Sequence, residues 1–242
     1  MSKLSVNYGY IPDTPDARDA RMSERFGAVR LPASKSLDGY IVKILDQGST
    51  SKCVVHAWAQ AMRMCDWKSG LSNLELSSRD FWYYNCLAFD GGGFADMGTQ
   101  LRSAARAAVK FGRAPESVWP FTEEPLVRQP PWEAYRRAYD YKGPAGYYRV
   151  SSLDEIRSAI ALGKPVVGGA MVGQSLEDYV GGLYDPQPNE RKIGGHAMTV
   201  VGYDPGSFTI CNSWGHGWGD NGLVHVSPSF METFTDLWAV HT

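Results

Sequence analysis

The stretch "DQGSTSKCVVHAWAQAM", Asp46 to Met62, joins a turn, a single cysteine and an apolar stripe at helical spacing. From Cys53 onward, Val54, Trp58, Ala61, Met62 and Cys65 recur as one buried face, so the sequence predicts a helix that begins at Cys53 and stops near Gly70. A cysteine at a helix start sits where the dipole and the free N–H groups stabilise a thiolate. A lone cysteine there is still most often a core residue. Partners elsewhere in the chain must decide between filler and nucleophile.

The 242 residues allow one large domain, or two modest ones around a shared cleft. Hydrophobic content of 43% with 21% charged residues excludes a largely disordered chain. A net charge of −2 argues against a nucleic-acid partner, because "RQPPWEAYRR" is the densest basic stretch and it is mixed with Glu133. No apolar run approaches a membrane span, and the N-terminus has no signal-peptide core, so a cytoplasmic location is expected, with signal-less secretion left open. Cys53, Cys65, Cys86 and Cys211 lie at irregular spacings with no metal-like pairing. They read as free thiols in a reducing compartment, and neither a metal nor a cofactor is expected.

Residues 1–36 are polar and proline-punctuated, an irregular extension lying on the domain. "LSSRDFWYYNC" reads as an aromatic helix behind a Ser cap. "DMGTQLRSAARAAVKFG" reads as an Ala-rich helix with an Asp/Thr start, stopped by Gly112. Residues 114–131 form a crossover. Beyond them "LDEIRSAIALGKP" is a short helix. "VVGGAMVG", "GHAMTVVGYD", "SFTICNSW" and "GLVHVS" are short strands separated by turns. "DGGGF" reads as a flexible loop. The class is α+β, a helical half (about 37–125) packed on an antiparallel β-barrel-like half (about 126–242), with a cleft between.

Of the five histidines, His196 stands apart, at the mouth of a strand behind Gly194 and Gly195. Asn212 follows sixteen residues later at the end of the next strand, and two adjacent antiparallel strands would set the pair side by side. Trp214 is then available to cover their hydrogen bond. Gln47, six residues before Cys53, lies on a turn that lets it point back into the site. His56, one turn after Cys53, reads as packing or surface.

These residues, in the order Gln, Cys, His, Asn, resemble the papain-like (C1) cysteine peptidases over about residues 40–226. "DQGSTSKC" is similar to the family's Gln-Gly…Cys segment, "GGHAMTVVGYD" to its His strand, and "CNSWGHGWGDNGLVHV" to its Asn-Ser-Trp-Gly segment. The nearest likeness is to the bacterial, disulfide-poor branch. The resemblance implies a thioester-forming endopeptidase that acts on peptides or proteins, without nucleic acid or membrane, as a monomer. Cys53 would be the nucleophile and His196 the proton carrier. Asn212 would orient His196, and Gln47 with the Cys53 N–H would hold the oxyanion. Trp214 would shield the His–Asn pair and Trp218 would line the leaving-group side. Gly98 would pair with substrate backbone, and Gly195, the residue before His196, offers no side chain to tune the imidazole.

The chain departs from the pattern at "TSKCV". Thr50 cannot form the usual disulfide, and Ser51 and Lys52 replace small residues, which is expected to alter or narrow the near subsite. A catalytically weakened peptide-binding protein, or an amidase or acyltransferase using the same residues, are the alternatives. Residues 8–30 are expected to drape across the cleft or brace it.

Overall fold

The stripe that opens at Cys53 forms the longest helix among the described residues. In the computed structural model, which describes residues 7–71, 75–125, 127–141 and 143–241, this helix (α2) spans Cys53–Lys68. Short elements precede it: β1 (Tyr10–Ile11), α1 (Met22–Phe26) and β2 (Lys35–Ser36). Of the predicted 1–36 extension, residues 1–6 lie outside the described part, as does residue 126 at the predicted boundary between halves.

Two further helices pack on α2. In α3 (Arg79–Phe89), the Ser78 hydroxyl accepts from the Phe81 N–H at 3.1 Å, the cap the sequence predicts. The Ala-rich helix α4 (Leu101–Phe111) ends at Gly112, whose φ of 76° suits glycine. Its start differs from the expected Asp/Thr cap. Thr99 and Gln100 are extended as β3, paired in parallel with β1, so the helix opens only at Leu101 without a side-chain cap. The N-terminal segment took Thr99 away from the helix.

Beyond α5 (Trp132–Ala138) the chain enters a sheet built from β4 (Gly146–Arg149), β5 (Val166–Gly173), β6 (Leu183–Tyr184), β7 (Lys192–Tyr203), β8 (Phe208–Cys211), β9 (Leu223–Val226) and β10 (Asp236–His241). Three short helices, α6 (Leu153–Ala161), α7 (Gln174–Glu177) and α8 (Pro228–Met231), lie in its connections. The strand order is β4-β10-β5-β7-β8-β9-β6, with β2 added beside β7. The pairs are antiparallel except β6 with β9. The class is α+β as the sequence predicts, but the sheet is open and mixed rather than a closed barrel. Its outer strands are β4 and β6, and β4 is met on its outer side by a parallel bridge from Arg21 to Arg149.

Two buried clusters hold the layers together. One lies in the sheet half, around Ile156, Val200, Phe208, Ile210 and Phe230. The other joins α2, α3 and α4 through Trp58, Met62, Trp82 and Leu101, and it includes Val167, Ala197 and Trp238 from the sheet. The helical half thus shares a core with β5, β7 and β10. This contact brings the start of α2 next to the start of the buried part of β7.

Candidate active site

Cys53 is the first residue of α2 and is fully buried. The backbone N–H groups of Ala197, Gly9 and Val54 lie near its sulfur and favour the thiolate. Ala197 follows His196 on β7, so the thiol lies beside the imidazole strand. The His196–Asn212 pair forms as the strand geometry predicts, with Nε2 and Oδ1 2.7 Å apart. That bond leaves His196 Nδ1 buried without a hydrogen-bond partner among the described residues, and Asn212 Nδ2 likewise. Trp214 stacks on His196 at 4.7 Å between ring centroids, and Trp218 meets Trp214 edge-on at 5.0 Å. The Trp218 indole donates to the Glu177 carbonyl at 3.1 Å.

Gln47 is held at three points. Its backbone N–H donates to the Ser213 carbonyl at 2.9 Å, and its Oε1 accepts from the Ser213 hydroxyl at 2.7 Å. Its Nε2 donates to the Thr50 carbonyl at 2.9 Å and to the Asn7 carbonyl at 3.1 Å. The loop carrying Asn212 therefore positions the Gln47 amide, a link that Ser213 supplies and that sequence reading passed over. Its only signal was its place between Asn212 and Trp214.

The Asn7 contact belongs to a longer one. Residues 7–13 lie across the site as an extended strap. Tyr8 sets its ring edge-on to His196 at 6.2 Å and donates its hydroxyl to the Glu177 carboxylate. Gly9 passes so close to the nucleophile's loop that a Cβ there would lie 1.8 Å from the Ser51 carbonyl oxygen. A Cβ on Gly98 would lie 2.3 Å from the Gly9 carbonyl oxygen, which accepts from the Thr99 N–H at 2.9 Å. Thr99, the neighbour of Gly98, makes this backbone pairing, while the Gly98 N–H donates to the Tyr83 hydroxyl at 2.8 Å. Gly195 faces the strap one residue on: its missing Cβ would meet the Tyr10 carbonyl oxygen at 2.4 Å.

Downstream, the strap is tied by charge. The Asp13 carboxylate accepts from the Arg102 N–H at 2.9 Å and from the Trp238 indole at 2.8 Å. Arg102 reaches on to Asp19 at 2.6 Å.

Burial sets the electrostatics of the site, with the strap lying across it. Burial pushes the Cys53 thiol up to about 11, outweighing the nearby backbone N–H groups that favour the thiolate. Burial pulls His196 down to about 4, with Asn212 opposing the shift. In this closed arrangement the pair is neutral, a thiol beside an uncharged imidazole.

Lys52 corrects the expectation of a narrowed subsite. Its side chain turns away from the cleft into the protein, where the ammonium meets the Asp80 carboxylate at 2.7 Å with both side chains buried. It also approaches the carbonyls of Glu124 and Thr122 at 3.3 and 3.5 Å. Ser51 presents backbone, with its N–H on the Asp96 carboxylate at 3.0 Å. Thr50 closes the turn with its hydroxyl on the Gln47 carbonyl at 2.7 Å. His56 is a packed residue, buried edge-on against Phe121 with Nδ1 2.8 Å from the Lys52 carbonyl. The Lys52→Ala variant strands Asp80 beside only Thr122 and a distant Arg128. Breaking one side of a buried pair costs about 3–5 kcal/mol, so thermal denaturation should show a melting temperature lowered by roughly 10 °C.

The structure thus brings together a buried thiol on a helix end, an imidazole–carboxamide pair and a stacked indole. The chain belongs to the papain family of cysteine proteases, whose model matches residues 33–233. An uncharacterized peptidase C1-like protein of Acanthamoeba polyphaga mimivirus is 28% identical over 99% of this chain and 88% of its own length. Papain of Carica papaya is 30% identical over 38% of this chain and 31% of its own length. The crystal structure of xylellain, a cysteine protease from Xylella fastidiosa, superposes with a TM-score of 0.89 at 28% identity, covering 100% of this chain and 98% of that one. The chain is a cysteine peptidase of the papain-like class, and its substrates are peptides or proteins.

Proposed function

We propose that the protein is an endopeptidase working through Cys53, His196 and Asn212, and that residues 7–13 of its N-terminal extension hold it latent. The observation that carries this reading is a peptide carbonyl, that of Asn7, on the Gln47 Nε2 donor beside the nucleophile. A donor placed for a peptide oxygen in the closed state is placed for a scissile carbonyl once the strap leaves. Subdomains of about residues 37–125 and 126–242 would flank the cleft, with the N-terminal extension lying on the catalytic domain.

With substrate in place of the strap, water and peptide reach the site and the thiol proton passes to His196 Nδ1. The sulfur adds to the carbonyl carbon, and the oxyanion is held by Gln47 Nε2 and the Cys53 N–H. His196 then gives the proton to the departing amine as the C–N bond breaks. Water, deprotonated by His196, opens the thioester and regenerates the thiol. Asn212 accepts from Nε2–H throughout, which keeps Nδ1 as the basic nitrogen facing the sulfur.

The fully buried, protonated Cys53 favours a second reading, a peptide-binding protein that no longer turns over. Hydrolysis of fluorogenic peptides by the full chain carrying Gly9→Val, which displaces the strap from the Ser51 carbonyl, with products resolved by mass, separates these readings. Free acids mark the peptidase, and amides formed from an added amine mark an acyltransferase. Binding without any product would leave the non-catalytic protein. In the same assay Gln47→Ala should lower kcat by about 10²–10³ with a smaller change in KM, the signature of a lost oxyanion donor.

A further inference from the structure

The strap also fills a side-chain pocket that the catalytic groups do not explain. Tyr10 is 5% exposed although it sits on a two-residue strand near the chain terminus. Its ring lies flush on β5, where a Cβ on Gly169 would come within 2.3 Å of the ring carbons. On β7 a Cβ at Gly195 would come within 3.3 Å of the same ring. The two glycines lie diagonally across neighbouring strands on one face of the sheet, Gly169 opposite Ala197 and Gly195, two residues before Ala197, opposite Met171. Any side chain at Gly169 would close the space the ring occupies.

The far end of the pocket is polar. The Tyr10 hydroxyl lies 2.6 Å from the Thr235 hydroxyl and 2.5 Å from Asp236 Oδ2. Asp236 is buried, and its other oxygen accepts from the Arg149 guanidinium. Its remaining partner, the Asp13 N–H at 2.7 Å, belongs to the strap. When the strap leaves, Asp236 loses two donors but keeps its counter-charge. The pocket then asks for a flat ring with a neutral donor at its tip. A lysine or arginine would enter a floor whose charge Arg149 already balances, and phenylalanine would seal the Asp236 and Thr235 oxygens against an apolar edge.

We propose that this glycine-walled, Asp236-floored pocket selects a tyrosine on the acyl side of the scissile bond, with Tyr10 as its built-in occupant. The inference rests on the peptidase reading above. Tyr8, on the other side of Gly9, packs at His196 and Glu177 toward Trp218, the leaving-group side, which places the Tyr10 pocket on the acyl side.

The test uses full-length chains whose strap is unlatched in two independent ways, Gly9→Val and Tyr10→Ala. Fluorogenic peptides carry Tyr, Phe, Leu, Arg or Ala at each acyl-side position in turn. At one position kcat/KM should favour Tyr over Phe at least tenfold, with Leu and Arg lower still. Adding Gly169→Val to either background should invert the order, so that an Ala peptide outruns the Tyr peptide. Tyr and Phe within threefold at every position, or a Tyr preference that survives Gly169→Val, overturns the proposal. If no peptide is cleaved, the peptidase reading fails instead. The pocket is then read by fluorescence titration of the same peptides against the Cys53→Ala form of each background, where Kd must favour Tyr over Phe by the same tenfold for the proposal to stand.

Discussion

In the unlatched Gly9→Val background, Cys53→Ala is expected to lower peptide hydrolysis by about 10⁶, to the limit of detection, while leaving the fold intact. The size follows from the chemistry: the thioester route needs this sulfur, and none of the other three cysteines can replace it. Cys65, Cys86 and Cys211 are buried, and desolvation raises the Cys86 and Cys211 thiols, to about 12 for Cys211. Alanine fits the cavity left by a fully buried thiol, so thermal denaturation should move little. A peptide epoxide that labels thiols should modify the parent protein once, at Cys53, after the strap is unlatched. Label that persists on Cys53→Ala would show that the nucleophile lies elsewhere.

Gly9→Val is expected to produce the second large effect, a gain. The Gly9 backbone runs against the Ser51 carbonyl, and both are main chain, so no rotamer change makes room for a Cβ. The valine must push the strap off the nucleophile's loop. With the thiol held at about 11, the thiolate fraction at pH 8 is about 10⁻³, and the strap also bars the reagent. Removing the strap restores water to Cys53 and His196, which reverses the burial that raises one and lowers the other. Cys53 alkylation by iodoacetamide near pH 7.5 should therefore accelerate at least 100-fold over the parent. The parent's rate should keep climbing toward pH 11, whereas the variant's should level off well below that. Equal rates and parallel pH profiles would mean that the strap does not govern the thiol.

The helical stripe and the positions of His196 and Asn212 were legible because each follows from a local rule. Apolar residues at period 3.6 make α2, and two adjacent antiparallel strands set residues sixteen apart beside each other. The strands β4 and β10 were missed. "GYYR" is too short to show a period, and in "DLWAVH" five consecutive residues are buried, which hides any alternation. The strap was legible as an extension expected to drape across the cleft or brace it over residues 8–30, but its contacts were not. Its fit depends on Gly9, Gly98, Gly169 and Gly195, residues whose meaning lies in what passes over them. The direction of Lys52 was not legible at all, since its partner Asp80 lies 28 positions away on another helix and no local pattern ties the two together.

That same Lys52–Asp80 contact carries a consequence for chemistry in a reducing medium. A thiol peptidase needs low-molecular-weight thiols to keep its sulfur from being oxidised, and those reagents also cut any disulfide that props the loop beside it. Here the prop is an ion pair next door to the nucleophile in sequence, and all four cysteines are free. The reductant that preserves Cys53 therefore has nothing to break in the scaffold that presents it.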